Sequence, residues 1–211
     1  MNEIKDRVAA LVERYRNDVA PIVVLGDPVL RRGAEPYDGQ LDDALLGDFI
    51  KLMRRTVEKA PGVGLAAPQV GVPLQIAVLE DTAKVPEDVA AARQRSPLEF
   101  FTIINPEYAP DGAEVRGFYE GCLSMPGYTA VVNRPLAVEA KYSDPTGSRQ
   151  NVALVGWPAR IFQHEADHLK GTVYVDKMEA RSLSTQQTYL NRWAAPVPTN
   201  AASSLGFDLD R

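Results

Sequence analysis

The amino-acid sequence predicts an α+β fold with antiparallel strands. Two long segments with helical periodicity lie within the first 60 residues, and strand-like segments joined by turns follow them. Helical periodicity then returns late in the chain, over residues 157–171. A doubly wound parallel sheet would instead alternate strands and helices throughout, so this order of elements favours an α+β fold.

Both early segments have the features of amphipathic helices. The first covers about residues 3–17 and ends before Pro21, and the second covers 41–59 and ends at Pro61. The second segment begins with acidic and ends with basic side chains, which is the order that the helix dipole favours. The apolar residues at helical spacing are Ile4, Val8, Leu11 and Tyr15 in the first segment and Leu41, Leu45, Phe49, Leu52 and Val57 in the second.

The middle of the chain is predicted to form the sheets. Residues 74–80 and 100–105 are rich in apolar, β-branched and aromatic side chains, so we predict a strand in each. Between them, residues 81–98 are mostly polar and are expected to form an excursion on the surface. Residues 136–144 and 149–156 alternate apolar and polar side chains around the turn DPTG, which predicts a hairpin with one buried face.

The last third of the chain begins with the late helical segment, 157–171, which ends at a glycine. Residues 171–178 are strand-like, and a helix is expected around residues 182–193. The sequence AAPVPTNAASSLG that follows has the composition of a flexible tail. The predicted organisation is one domain over residues 1–180 and a partly flexible extension over residues 181–211.

Size and composition exclude several functional classes. The 211 residues are 45% apolar and 24% charged with a formal net charge of −5, so no basic surface for nucleic acid is expected. No apolar run approaches the roughly 20 residues of a membrane span. The N-terminus lacks the pattern of a secretory leader, and a lone cysteine permits no intramolecular disulfide. A cytoplasmic location is therefore expected.

Both histidines of the chain lie in the sequence HEADH, where His164 and His168 are four residues apart. On a helix this spacing places two imidazoles on one face, where they can bind the same cation. Glu165 lies about 100° around the helix, which suits a base acting on a water molecule beside that cation. Two unrelated surface histidines are the simpler interpretation, but it is disfavoured because no histidine lies outside the motif.

A catalytic metal usually has three protein ligands, so a third residue must join the histidines. In a zincin-type metallopeptidase it would be a histidine or a glutamate, yet Tyr174 occupies the position of the third metzincin histidine. Glu179 is the downstream glutamate that could serve in such a site. Cys122, in EGCLSMPGY, is the thiol that would complete a site for zinc or iron. A metal-binding protein without catalysis is the remaining alternative.

A glycine-rich segment, GVGLAAPQVG, covers residues 62–71. It contains the dinucleotide-binding pattern G-x-G-x-x-A, but it follows a helix and Pro68 interrupts it, so we exclude a nucleotide site. Glycines instead let a backbone approach an extended peptide ligand closely. Gln69 at the end of the segment offers an amide that could stabilise an oxyanion.

Three of these sequences together resemble the signature motifs of the peptide deformylases, in the order found in that family. They are GVGLAAPQ at 62–69, EGCLS at 120–124 and QHEADH at 163–168. The similarity extends to GDPVLRR at 26–32 and covers roughly residues 20–178. It implies an α+β catalytic domain with antiparallel sheets around the helix that carries the H-E-x-x-H motif.

The resemblance also implies the chemistry of a bacterial-type, iron-dependent metallohydrolase. Cys122, His164 and His168 would hold one divalent cation, Fe²⁺ by preference, although Zn²⁺, Ni²⁺ or Co²⁺ fit the same ligands. Glu165 would act as the base while the formyl group of an N-formylmethionyl peptide is hydrolysed to formate. The Gln69 amide and the backbone N–H of Leu123 would stabilise the oxyanion.

The substrate side of the site is also assigned by resemblance. The peptide would lie as a strand along the glycine-rich segment, with its methionine in an apolar pocket. Glu120 is expected to form an ion pair with Arg134. The partners implied are nascent formylated peptides at the ribosome, and the protein is expected to be a monomer. The predicted substrate-binding residues are Val63, Gly64, Phe118, Glu120, Gly121, Trp157 and Ile161.

Overall fold

A computed structural model describes residues 3–210 and confirms the α+β prediction. The helices are α1 (Glu3–Arg14), α2 (Asp43–Lys59), α3 (Glu87–Arg93), α4 (Gly156–Leu169), α5 (Gln186–Thr188) and α6 (Thr199–Leu205). The strands are β1 (Gly64–Ala66), β2 (Ile76–Asp81), β3 (Leu98–Pro110), β4 (Val115–Gly121), β5 (Tyr128–Pro135), β6 (Ala137–Ser143), β7 (Arg149–Val155) and β8 (Ser184–Thr185). Within residues 3–210, none of the helices is long and apolar enough to cross a membrane.

The strands form two sheets in which every pairing is antiparallel. One sheet has five strands in the order β1-β2-β3-β6-β7, and the other has three in the order β4-β5-β8. The predicted hairpin is β6 and β7, joined by the turn at Asp144 and Gly147. Strands β1 and β4 are each the outer strand of their sheet, which leaves both beside the candidate site described below.

Helices α1 and α2 confirm the two predicted amphipathic segments. The carboxylate of Asp42 accepts a hydrogen bond from the Leu45 N–H at 3.0 Å, which satisfies a backbone donor at the start of α2. The buried faces of both helices join β1 and β2 in one apolar cluster that includes Val8, Phe49 and Leu65. Leu65 belongs to the glycine-rich segment, so this cluster fixes that segment against the core.

Helix α4 lies between the two sheets and is the central element of the fold. All of its residues except Trp157 and His164 are buried. Ile161, Phe162 and Leu169 pack against the five-stranded sheet. Each large apolar side chain removed from water contributes about 1.5–3 kcal/mol to stability, so the helix that carries the histidine motif is firmly held.

The predicted strand at residues 171–178 is wrong. The chain turns at Gly171, which has a φ of +75°, and then forms a 3₁₀ helix over Tyr174–Asp176. The Asp176 carboxylate accepts a hydrogen bond from the Val173 N–H at 2.8 Å and so closes this turn. Val173 and Tyr174 are buried because they pack in an apolar cluster with Leu30. Their apolar character therefore reflects core packing rather than strand pairing.

The C-terminal segment also differs from its prediction. The helix expected at 182–193 is divided into β8, α5 and a π-helical turn over Tyr189–Trp193. The residues predicted as a flexible tail form α6, and Ala201 is 1% exposed. Leu205, Phe207 and Leu209 continue this packing against Tyr119 and Val131 of the three-stranded sheet. The segment consists mostly of small and polar residues, so its sequence does not predict these few apolar contacts.

Candidate active site

Cys122 answers the question of the third ligand. It follows directly after β4, whereas His164 and His168 project from α4. The ligand atoms of these three residues all lie within 4.8 Å of one another, and Cys122 Sγ is 3.2 Å from His168 Nε2. One sulfur and two imidazole nitrogens leave a fourth position of a tetrahedral site open, as a catalytic metal requires.

The charged groups around His164 favour the binding of a cation. Its Nδ1 is 2.9 Å from Glu120 Oε2. Burial alone would lower the pKa of His164, but hydrogen bonds with Cys122 and Glu120 and their negative charges raise that pKa to about 10. Burial holds the pKa of His168 well below its ordinary value. The site thus favours positive charge beside Cys122 and a neutral imidazole at His168, and a divalent cation bound by these ligands satisfies both.

Glu120 is the centre of a buried ion network. Arg134 donates to its two oxygens at 2.7 and 3.0 Å, which confirms the predicted pair, and Arg160 donates at 2.6 Å. Burial would raise the pKa of the Glu120 carboxyl, but the Arg134 guanidinium, His164 and Arg160 hold it well below its usual range. Both carboxylate oxygens contact protein groups, a geometry that suits a residue orienting His164. The part of Glu120 in substrate binding stays a prediction.

A second carboxylate, Asp167, extends this network on the far side of Arg134. Arg134 Nη1 is 2.7 Å from Asp167 Oδ2, and Lys177 Nζ is 2.8 Å from both Asp167 oxygens. The hydroxyl of Tyr108 donates to Asp167 Oδ1 at 2.9 Å. Sequence reasoning missed Asp167 and Arg160. Their charges on the mostly apolar helix α4 were the available clue, since charges are buried only when they are paired.

Glu165 points from α4 toward the glycine-rich segment. Burial raises the pKa of its carboxyl to about 7, and Oε2 has no hydrogen-bond partner among residues 3–210. Gly64 lies directly against it, so that a Cβ added to Gly64 would be 2.6 Å from Glu165 Cδ. The glycine therefore provides space for the carboxylate, which is close to His164 and to the metal ligands.

The Gln69 side chain is fixed at both ends. Its Oε1 accepts from the Ala66 N–H at 2.9 Å, and its Nε2 donates to Ser124 Oγ at 3.2 Å. The same Nε2 is 3.5 Å from Cys122 Sγ. The amide hydrogens are thereby directed toward the metal ligands, where an oxyanion donor is expected.

A cavity of about 610 Å³ opens above these residues. It is lined by all of the predicted site residues except Phe118 and His168: Val63, Gly64, Gln69, Glu120, Gly121, Cys122, Leu123, Trp157, Ile161, His164 and Glu165. Phe118 is buried and packs edge-on against Trp157, with 6.3 Å between ring centroids, so it supports the wall without lining it. The lining residues that the sequence did not indicate include Arg93, Met125, Tyr128, Gln186 and Tyr189.

The position of the third metzincin histidine supplies no ligand, and the alternative ligand Glu179 is not part of the metal cluster. The Tyr174 ring stacks on the His164 ring at 6.2 Å, and its hydroxyl is 3.5 Å from Met125 Sδ. The Glu179 carboxylate accepts from the Asn133 amide at 3.0 Å. Among the described residues, the only cluster of potential ligands is the one formed by Cys122 and the two histidines.

Comparison with known proteins agrees with this geometry. A family model described as polypeptide deformylase matches residues 19–184. The chain is 54% identical to peptide deformylase 3 of Streptomyces avermitilis over 90% of this chain and 84% of that protein. It is 50% identical to peptide deformylase 1 of Streptomyces coelicolor over 99% of this chain and 98% of that protein.

A solved structure shows the same fold. The Met-Ala-Ser-bound class I type b peptide deformylase of Acinetobacter baumannii is 30% identical and superposes with a TM-score of 0.68. The match covers 76% of this chain and 98% of the other. Motifs, metal ligands, fold and relatives therefore agree: the chain belongs to the peptide deformylase family, the metal-dependent hydrolases that remove N-formyl groups.

Proposed function

We propose that this deformylase acts on N-formylmethionyl nascent peptides, with Glu165 as the general base and Gln69 and Leu123 as oxyanion donors. The observation that carries the proposal is convergence: two of the three ligands, the buried carboxylate and the Gln69 amide line one cavity, and the ligand atom of His168 lies within 4.8 Å of those two ligands. A divalent cation held by Cys122, His164 and His168 would supply a Lewis acid that lowers the pKa of a water and polarises the formyl carbonyl.

In the proposed reaction, Glu165 transfers a proton from the attacking water to the departing nitrogen. Glu165 takes a proton from the attacking water while the water oxygen bonds to the formyl carbon. Negative charge grows on the former carbonyl oxygen, and the Gln69 amide and the Leu123 N–H stabilise it; one such donor is worth about 10²–10³ in kcat. Glu165 returns the proton to the departing nitrogen as the C–N bond breaks. The products are formate and a free amino terminus.

The peptide is proposed to lie between β1 and β4. Both are outer strands, and Gly64 of β1 and Gly121 of β4 line the same cavity. An extended peptide can therefore hydrogen-bond to strand edges on either side. Val63, Ile161 and Trp157 provide an apolar surface suited to the methionine side chain. The Met-Ala-Ser peptide named for the Acinetobacter baumannii relative supports a site of this kind.

The native metal, the cellular setting and the domain division complete the proposal. We favour Fe²⁺, with Zn²⁺, Ni²⁺ or Co²⁺ as substitutes, and a thiolate ligand makes the site sensitive to oxidation. We further propose a cytoplasmic monomer that meets its substrates as they leave the ribosome. The catalytic domain would be residues 1–180, followed by the extension at 181–211.

The test is formate release from an N-formylmethionyl tripeptide by protein purified without oxygen. We expect release by the wild-type protein and its loss in Glu165→Gln, with metal content unchanged in both. No release by fully metal-loaded wild-type protein would refute the proposal, as would a Glu165→Gln variant with full activity.

A second variant addresses the metallopeptidase and the non-catalytic alternatives. Cys122→Ala is expected to lose bound metal and formate release together. A zincin-type peptidase would instead keep its metal in this variant and cleave unformylated peptides internally. A non-catalytic metal protein would bind metal but release no formate in any form.

A further inference from the structure

The surface excursion at residues 81–98 is a folded element that packs on the start of α4. Asp81 Oδ1 and Arg95 Nη2 are 2.5 Å apart, and their side chains are 1% and 13% exposed. The Gln94 carbonyl accepts from the Trp157 N–H at 3.4 Å. Gly156 permits this approach, since a Cβ there would be 2.6 Å from Gln94 Cβ. The excursion is thus fixed against the helix that carries the catalytic residues.

This packing places Arg93, the last residue of α3, in the wall of the active-site cavity. Its guanidinium carbon lies 4.7 Å from the centre of the Trp157 ring and 5.7 Å from that of Phe118. The same cavity is lined by Ile161 and Glu165. A residue from a polar surface segment therefore shares a wall with the proposed methionine pocket.

Of the three arginines beside Trp157, Arg93 is the one that lacks a counterion among residues 3–210. Three guanidinium groups lie over the Trp157 ring, at 4.7 Å for Arg93, 5.8 Å for Arg95 and 5.9 Å for Arg160. Arg95 is paired with Asp81 and Arg160 with Glu120. Within residues 3–210, no carboxylate lies within 4.0 Å of Arg93, and its buried Nε–H has no acceptor.

We propose that Arg93 is a specificity-determining residue that binds a carboxylate side chain at the second or third position of the formylated peptide. The inference rests on the proposed function, because it requires the peptide to lie in this cavity. Residues of an extended peptide advance by about 3.3 Å each, so in this proposal a side chain of the second or third residue reaches the part of the cavity wall that holds Arg93. A guanidinium offers a planar pair of donors that matches a carboxylate.

The pairing of the two neighbouring arginines with carboxylates strengthens this assignment, because it leaves Arg93 as the uncompensated charge of the three. A partly buried positive charge without a counterion is unfavourable until an anion approaches. A methionine side chain is neutral and leaves this charge uncompensated, whereas Asp or Glu in the following residues would compensate it. Lys or Arg at the same peptide positions would be repelled.

The experiment measures kcat/KM for formate release from two peptide series, formyl-Met-X-Ala and formyl-Met-Ala-X, with X as Glu, Gln or Lys. For the wild-type protein we expect Glu to exceed Gln by roughly three- to tenfold in one series, with Lys lowest. Arg93→Gln should abolish the difference between Glu and Gln, and Arg93→Glu should reverse the order to favour Lys. Arg93→Lys should keep the preference for Glu in reduced form.

The matched control is Arg149→Glu, the same charge reversal at an exposed residue of β7 outside the cavity. It should leave the order Glu, Gln, Lys unchanged. An equal rate on all peptides by the wild-type protein would overturn the proposal. So would an equal loss on every peptide in Arg93→Gln and Arg93→Glu, because packing on Trp157 would then explain the residue. Absence of formate release from every peptide would overturn the proposed function, and this inference with it.

Discussion

Substitution of Gly64 by alanine is expected to displace Glu165, the proposed base, without unfolding the protein. Gly64 does not have a left-handed φ, so alanine can adopt its backbone conformation. The new Cβ would lie 2.3 Å from Glu165 Oε1, whereas ordinary contact begins at 3.4 Å. The carboxylate must therefore move by about 1.1 Å, and a displacement on this scale at a reacting group costs on the order of 100-fold in kcat.

The assay compares formate release, bound metal and thermal unfolding of Gly64→Ala with those of wild-type protein. We expect a loss on the order of 100-fold in kcat with one metal still bound, because Glu165 is not a ligand. Gly47→Ala is the matched control, since nothing lies within 4 Å of an added Cβ there. A Gly64→Ala variant whose kcat equals that of Gly47→Ala would refute the proposed role of this close approach.

Three further outcomes follow from the packing and charges. Arg134→Ala should lower the free energy of unfolding by about 3–5 kcal/mol, because it leaves Glu120 and Asp167 buried without their shared counterion; unchanged urea unfolding and metal content would contradict this. Chelation of the metal should destabilise the protein, since a cation at 100 times its dissociation constant contributes about 2.7 kcal/mol; coincident unfolding curves with and without chelator would contradict it. Deletion of residues 197–211 should cost on the order of 2 kcal/mol through lost apolar burial, and an unchanged melting temperature would show that this segment contributes nothing.

Local patterns predicted much of the fold. The periodicities that indicated α1, α2 and the β6–β7 hairpin depend on neighbouring residues, and the structure contains all three elements. Residues 171–178 have the sequence of a strand, because the apolar residues Val173 and Tyr174 look the same in sequence whether they pack in a sheet or in a core. The C-terminal segment has the composition of a flexible tail, yet a few apolar contacts are enough to fix it to the domain.

The sequence by itself determined the chemistry of the metal site. Two histidines four residues apart on a helix must share a face, and one cysteine in the chain left little choice of thiol. Tertiary structure alone decided which charges balance one another, because Glu120, Arg134 and Asp167 belong to three different elements. It also decided that Arg93 reaches the cavity, since the contact of the excursion with Trp157 spans more than 60 residues of chain. Helix spacing is a local property, whereas charge compensation and cavity walls depend on contacts between segments distant in sequence.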